Sequence, residues 1–270
     1  MKKVLPRLLL GVVFAFLYLP IVVMIVFSFN SGSTTVVFES FSFQPFVSLF
    51  RYHENLMISL QNSLILAGSV SLISTVFGTL ATVAIFNSRS KRMQSTMMGI
   101  NKFPMMNPHV VTGVSMMLMF IFVSNFLGTR NTLSFVTVLI AHVTITTPFV
   151  VLNVMPKLRE SDPHMLEAAY DLGCTPVRAF FKVTLPTIST GIISGLMMAF
   201  ALSLDDFIIS FYTTGVGFNT FPIEVFNQAR RGVRPSVFAL STLIFITIFT
   251  LLVLINLIQI KSEKRNGAKP

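Results

Sequence analysis

The chain contains apolar runs too long and too poor in charge to fold as the core of a water-soluble domain. No charged side chain occurs from Leu8 to Phe38, and none from Leu60 to Phe86. Uncharged runs of 18 residues or more mark helices that cross a bilayer. Composition agrees, because only 11% of residues are charged and 53% are hydrophobic. A soluble domain carries about 25% charged residues, so this chain could not cover a water-facing surface. The expected fold is an all-α integral membrane protein with six spans, near Leu8–Phe29, Leu60–Phe86, Phe103–Ser124, Leu133–Met155, Ile188–Thr213 and Val237–Ile260. Each holds about 20–27 residues, enough for roughly 30 Å of hydrocarbon with some tilt. Residues 1–270 read as a single transmembrane domain.

The first run follows Met1-Lys2-Lys3, as the core of a signal peptide would. It is longer than such a core, and no clear small-x-small cleavage site follows it. It reads as a retained span.

Orientation follows from the basic residues. Lys2, Lys3 and Arg7, then Arg89, Lys91, Arg92 and Lys102, then Lys157, Arg159, Arg178 and Lys182, then Lys261, Lys264, Arg265 and Lys269 all fall on one side of a six-span chain. Only Arg51, Arg130, Arg230, Arg231 and Arg234 fall on the other. The rich side is expected to be cytoplasmic, with both termini inside. The net charge of +10 therefore reflects membrane topology rather than a nucleic-acid-binding face.

Several chemistries have no residues to carry them. His53, His109, His142 and His164 lack metal-ligand spacing. The one cysteine, Cys174, permits no internal disulfide and reads as a small residue at a helix end. Neither a phosphate-binding G-x-x-x-x-G-K-[ST] loop nor a G-x-S-x-G nucleophile turn occurs. No cofactor is expected in this chain.

The loop 160–186 is the longest polar interruption after residue 60. Asp162-Pro163 is a helix start, with a capping carboxylate and a proline at the first helical position. Gly173 ends that helix in the left-handed cap position. Thr175-Pro176 repeats the start signal for a second short helix, Val177 to Thr184, closed by Pro186. Leu166, Ala169 and Tyr170 share one face of the first helix, and Val177, Phe180 and Phe181 give the second an apolar side. Something must cover these faces: the chain's own loops, the lipid surface or a cytoplasmic partner.

Glu167-Ala168-Ala169, then Gly173, then Leu185-Pro186, resembles the EAA–G–LP loop of ABC-importer permeases. Leu204-Asp205-Asp206-Phe207, Ser210-Phe211, Thr214-Gly215 and Thr220-Phe221-Pro222 resemble the spermidine/putrescine permeases, as do Val233, Arg234-Pro235 and Ala239-Leu240-Ser241-Thr242. Tyr18-Leu19-Pro20 and Ser28-Phe29-Asn30 fit the same family, so the likeness covers nearly the whole chain, in the manner of the second of two permease subunits. Phe238, where the family usually has Asn, and Val216-Gly217-Phe218, where Gly-Pro is common, depart from it.

The resemblance implies a multi-pass permease of the bacterial cytoplasmic membrane that is not itself an enzyme. It implies a heterodimer with a homologous permease, two ATPase subunits that bind ATP and Mg, an external substrate-binding protein and a polyamine substrate. Glu167, Ala168, Ala169, Gly173, Leu185 and Pro186 would dock the ATPase. Importers of iron, sulfate, thiamine or phosphonate share this loop and remain alternatives; a non-transport assembly protein is the reading from another class.

Two further groups stand out. Asp205 and Asp206 are the only acidic residues inside an apolar run, and a charge at the bilayer centre costs roughly 2.5–3.5 kcal/mol, so such residues face a cavity or a partner. Neighbouring helical positions point about 100° apart, so the two cannot face the same way. With Ser210 and Tyr212 they are candidates for a cation pathway, against a structural role for either Asp. Arg230, Arg231 and Arg234 oppose the orientation rule. They follow an expected amphipathic helix, Phe221 to Arg231, and suit either lipid headgroups or an acidic external partner.

Overall fold

In a computed structural model, residues 4–32, 37–52, 54–88, 90–128, 133–232, 234–247 and 249–250 are described. They are helical almost throughout: α1 (Val4–Phe27), α2 (Gln44–Tyr52), α3 (Glu54–Phe86), α4 (Lys91–Met106), α5 (His109–Phe126), α6 (Phe135–Glu160), α7 (Pro163–Asp171), α8 (Pro176–Ala179), a π-helical turn (Phe180–Thr184), α9 (Leu185–Thr187), α10 (Ser189–Asp205), α11 (Ile208–Thr213) and α12 (Phe221–Arg231). A shorter apolar helix, α13, covers Pro235–Thr247. Four of the described helices are long and apolar enough to cross a membrane, five if the bent pair Pro176–Thr187 and Ser189–Asp205 is one span. The last part of the sixth expected span, residues 251–260, lies outside the described residues, as do Lys2, Lys3, Arg89, Arg130, Val233, Lys261, Lys264, Arg265 and Lys269.

The chain forms two units, Ser59–Glu224 and a second made of Met1–Ile58 with Val225–Pro270. In the second unit, no residue of the apolar stretch Leu9–Phe27 of α1 is buried. Asn30 closes the turn after it. Its side chain donates to the Val37 carbonyl (2.8 Å) and accepts from the Glu39 N–H (2.9 Å).

The first unit is built on α6. Val150 is fully buried, and two glycines let neighbouring helices close on it. A Cβ at Gly78 of α3 would lie 2.6 Å from the Val150 Cβ, and one at Gly195 of α10 would lie 3.1 Å from its Cγ1. Small residues allow this approach where no hydrophobic force drives helices together. Val150, Val154, Leu158, Ile188 and Ala199 form the resulting core. Hydroxyls in these helices bond back to their own backbone, as Thr82 does to the Gly78 carbonyl (2.6 Å) and Thr147 to that of Val143 (2.6 Å). Apolar surroundings offer them no water.

The helix limits depart from the sequence expectation at five places. The second span begins at Glu54 rather than Leu60, giving a 33-residue helix. The third, expected from Phe103, is cut at Asn107-Pro108. Both residues are extended (ψ 141 and 132), because a residue before proline is driven out of the helical region. The fourth runs on to Glu160, with Lys157 and Arg159 suiting the negative end of its dipole. Pro186 does not close the hairpin. The π-turn before it widens the ladder, with Leu185 N–H bonding the Phe180 carbonyl, and the chain bends by 70° beyond Thr187. The fifth span, expected unbroken to Thr213, breaks at Asp206, which is extended (φ −71, ψ 118).

Candidate functional site

Two interruptions of the helical rods gather the candidate residues. The first is the hairpin α7 to α9. Asp162 Oδ accepts the His164 N–H at 2.9 Å, and Pro163 follows in the first turn. At the other end, Gly173 adopts φ +78. Its N–H bonds the Tyr170 carbonyl (2.9 Å), and Cys174 N–H bonds that of Ala169 (3.0 Å). This pair of bonds is the Schellman closure, which only a left-handed residue permits. The two helices pack together, and each buries one alanine, Ala169 and Ala179.

What the hairpin leaves outside is apolar. Leu172, Val177 and Phe181 are 85%, 66% and 60% exposed. Glu167 and Ala168 are also exposed, and Glu167 sits 3.2 Å from the His164 ring. Leu185 is half-buried and Pro186 exposed. Of the expected docking residues, only Ala169 turns inward.

The second interruption lies between α10 and α11. Extended backbone at Asp206 frees the amides that start α11. One Asp206 oxygen accepts the Ser210 N–H at 3.0 Å, as a capping carboxylate does. His142, from the middle of α6, spans the break. Its Nδ1 lies 2.8 Å from Ser203 Oγ, and its Nε2 lies 3.0 Å from Ser210 Oγ and 3.5 Å from Asp206. His142 is 2% exposed. His109, at the start of α5 and half exposed, reaches the other Asp206 oxygen at 3.6 Å. Behind them, Thr146 donates to the His142 carbonyl (2.8 Å) and meets Ser74 at 2.6 Å. A buried polar group costs free energy unless partnered, so this set is a closed network.

The network separates the pathway candidates. Asp206 and Ser210 belong to it, and Ser210 is fully buried. The Asp205 side chain is exposed and makes no hydrogen bond or ion pair among the described residues. Tyr212 is half-buried against α5, where a Cβ at Gly113 would meet its ring at 3.0 Å. His142 and His109 are the members that sequence reasoning missed. The available signal was an ionisable side chain inside an apolar span, which marks a functional site by default.

The arginines lie in the second unit. α12 has the expected limits, Phe221–Arg231. Arg230 lies 5.9 Å from the Phe226 ring, and Arg234 lines a cavity with Asn30 and Gln44. The Arg231 side chain lies outside the described residues.

Residues 74–265 match the family described as the binding-protein-dependent transport system inner membrane component. The chain belongs to this family. It is a non-catalytic permease component of an ABC importer and a multi-pass protein of the bacterial cytoplasmic membrane. It is similar to the putrescine transport system permease protein PotI of Escherichia coli K12, at 37% identity over 88% of this chain and 83% of that one. The spermidine/putrescine transport system permease protein PotC of Haemophilus influenzae is 32% identical over 93% of this chain and 95% of its own. Among solved structures, a bacterial ABC transporter that imports alginate superposes with a TM-score of 0.73 at 18% identity, covering 98% of this chain and 96% of that one. The MetNI methionine transporter superposes with a TM-score of 0.56 at 18% identity, over 79% and 95%. These two establish the permease fold.

Proposed function

We propose that the permease carries polyamines. One observation carries this reading: relatives named for putrescine and spermidine/putrescine match 88–93% of the chain at 32–37% identity. It would pair with a homologous permease, two ATPase subunits that bind ATP and Mg, and an external binding protein. The chain would act as one permease domain of six spans, α13 continuing as the sixth, with both termini and the hairpin in the cytoplasm.

In this reading the hairpin is the plug for the motor. Its uncovered rim at Leu172, Val177 and Phe181, on a turn closed at both ends, supports an ATPase cleft as the missing cover. Glu167, Ala168 and Gly173 present the docking edge, with Leu185 and Pro186 behind it. ATP-driven closure of the motor would move the hairpin, and the 70° bend would pass that motion to α10, opening the pathway outward.

The break at Asp206 supports a division of labour between the two carboxylates. Asp205 is exposed and offers its charge to ammonium groups of a passing polyamine. Asp206 and Ser210 hold the break in shape, and Tyr212 positions α11 against α5. Arg230, Arg231 and Arg234 would meet an acidic rim on the binding protein, a contact weakened by salt.

Uptake by proteoliposomes of the assembled importer tests the substrate class. Labelled putrescine or spermidine should enter in an ATP-dependent way, and excess sulfate, phosphonate, thiamine or ferric ion should not compete. ATP-dependent uptake of any of those solutes, with no polyamine uptake, would assign the pathway to it instead.

A further inference from the structure

α4 carries two opposed faces. Met93, Met97 and Ile100 follow at i, i+4 and i+7, and all three are exposed. Lys91, Ser95, Met98 and Lys102 repeat the same spacing on the opposite side, about 180° away. The second face lines a cavity of ≈ 630 Å³ against the end of α6, where Met155 and Arg159 complete the wall. Asn101 reaches toward the Pro148 carbonyl (3.5 Å), holding α4 antiparallel along α6.

Three cations thus line one cavity: Lys91, Lys102 and Arg159. None of them pairs with an acidic side chain among the described residues. Mutual repulsion keeps such a cluster unfavourable until an anion enters it. It would also repel an ammonium-bearing solute, so the cavity is no part of a polyamine route. A second feature points to a ligand that also donates. Pro156 has no N–H for the Leu152 carbonyl, and both residues line the cavity. The Leu152 carbonyl is thus left without the i+4 bond of its own helix. The same wall holds Met98, Leu152 and Met155, an apolar floor beside the cations that suits the start of an acyl chain.

We propose that this cavity binds the phosphodiester headgroup of an anionic phospholipid, with Lys91, Lys102 and Arg159 as its positive wall and the Leu152 carbonyl on a headgroup hydroxyl. Clusters of Lys and Arg at a membrane surface attract anionic headgroups, at about 1 kcal/mol per cation. The inference is independent of which solute the permease carries.

Native mass spectrometry of the purified full-length chain in its complex, titrated with phosphatidylglycerol, phosphatidylcholine or inorganic phosphate, provides the test. The wild type should retain phosphatidylglycerol in clear preference to phosphatidylcholine. The variant with Lys91→Gln, Lys102→Gln and Arg159→Gln should lose that preference, at about fivefold per cation and about a hundredfold in all. Arg92→Gln, on the same helix but outside the cavity, should keep it. Should the triple variant fail to assemble, Lys102→Gln alone must still weaken phosphatidylglycerol about fivefold. Undiminished preference in a folded Lys102→Gln variant would overturn the site. Saturation by inorganic phosphate that phosphatidylglycerol cannot displace would assign it to the free ion and overturn the lipid.

Discussion

The hairpin at Pro163–Thr187 and the break at Asp206 both interrupt helical rods, and both leave backbone groups without intrahelical partners. In both, the backbone repair is local: Asp162 serves His164 and Cys174 serves Ala169 in the hairpin, and Asp206 serves Ser210 at the break. They differ in what else holds them. At the break the hydroxyls of Ser203 and Ser210 are held by His142, 61 and 68 positions away. The hairpin is largely exposed, so water can replace a lost bond. His142 is buried, so nothing can. A part that docks can be encoded by a short motif; a gap in a spanning helix needs a distant element to hold it open.

This contrast sets an order of stability effects. His142→Ala should be the most damaging, because it strands two buried hydroxyls and weakens the hold on Asp206. Each unsatisfied buried group costs about 1–3 kcal/mol, so a loss of about 3 kcal/mol is expected in thermal melting of the purified complex. His142→Gln, able to reach one hydroxyl, should recover part of it. An unchanged melting point would remove the distinction between the two interruptions. Asp206→Ala comes next, at about 1–2 kcal/mol for a lost cap, and Asp206→Asn should cost less because an acceptor remains.

Gly173→Val should cost about 1–2 kcal/mol, the strain of a branched residue at positive φ, with open space around it to relieve any clash. Hydrogen exchange should show the loosening confined to residues near the hairpin; spread to Ser210 would mean the two regions are not separately held. Asp205→Asn should change stability by no more than about 0.5 kcal/mol, as exposed positions do, while lowering polyamine uptake. Wild-type uptake with that variant would take Asp205 out of the pathway.

Legibility in the sequence followed the same line. Asp162-Pro163, Gly173 and Thr175-Pro176 are local signals, and the structure has helix limits at each of them. α12 likewise has the limits its pattern suggests. Asn107-Pro108 also carries a local break signal, but the apolar run on both sides conceals it from hydropathy. Pro186 reads as a stop because a proline removes one bond of an α-helical ladder, and a π-turn makes that bond unnecessary. The break at Asp206 was hidden for a deeper reason. Ile208 to Thr213 continue the apolar run, and the partner that stabilises the gap sits on another helix. No window along the chain contains both halves of that bond.

The claim that joins the two regions is that the hairpin passes ATP-driven motion to the pathway. ATP hydrolysis and putrescine uptake, measured together in proteoliposomes of the complete importer carrying Gly173→Val, test it most directly. The complex should assemble and its ATPase keep a basal rate, with stimulation by the loaded binding protein lost and uptake reduced at least about tenfold, a coupling loss of about 1.4 kcal/mol or more. Wild-type stimulation and wild-type uptake in that variant would contradict it.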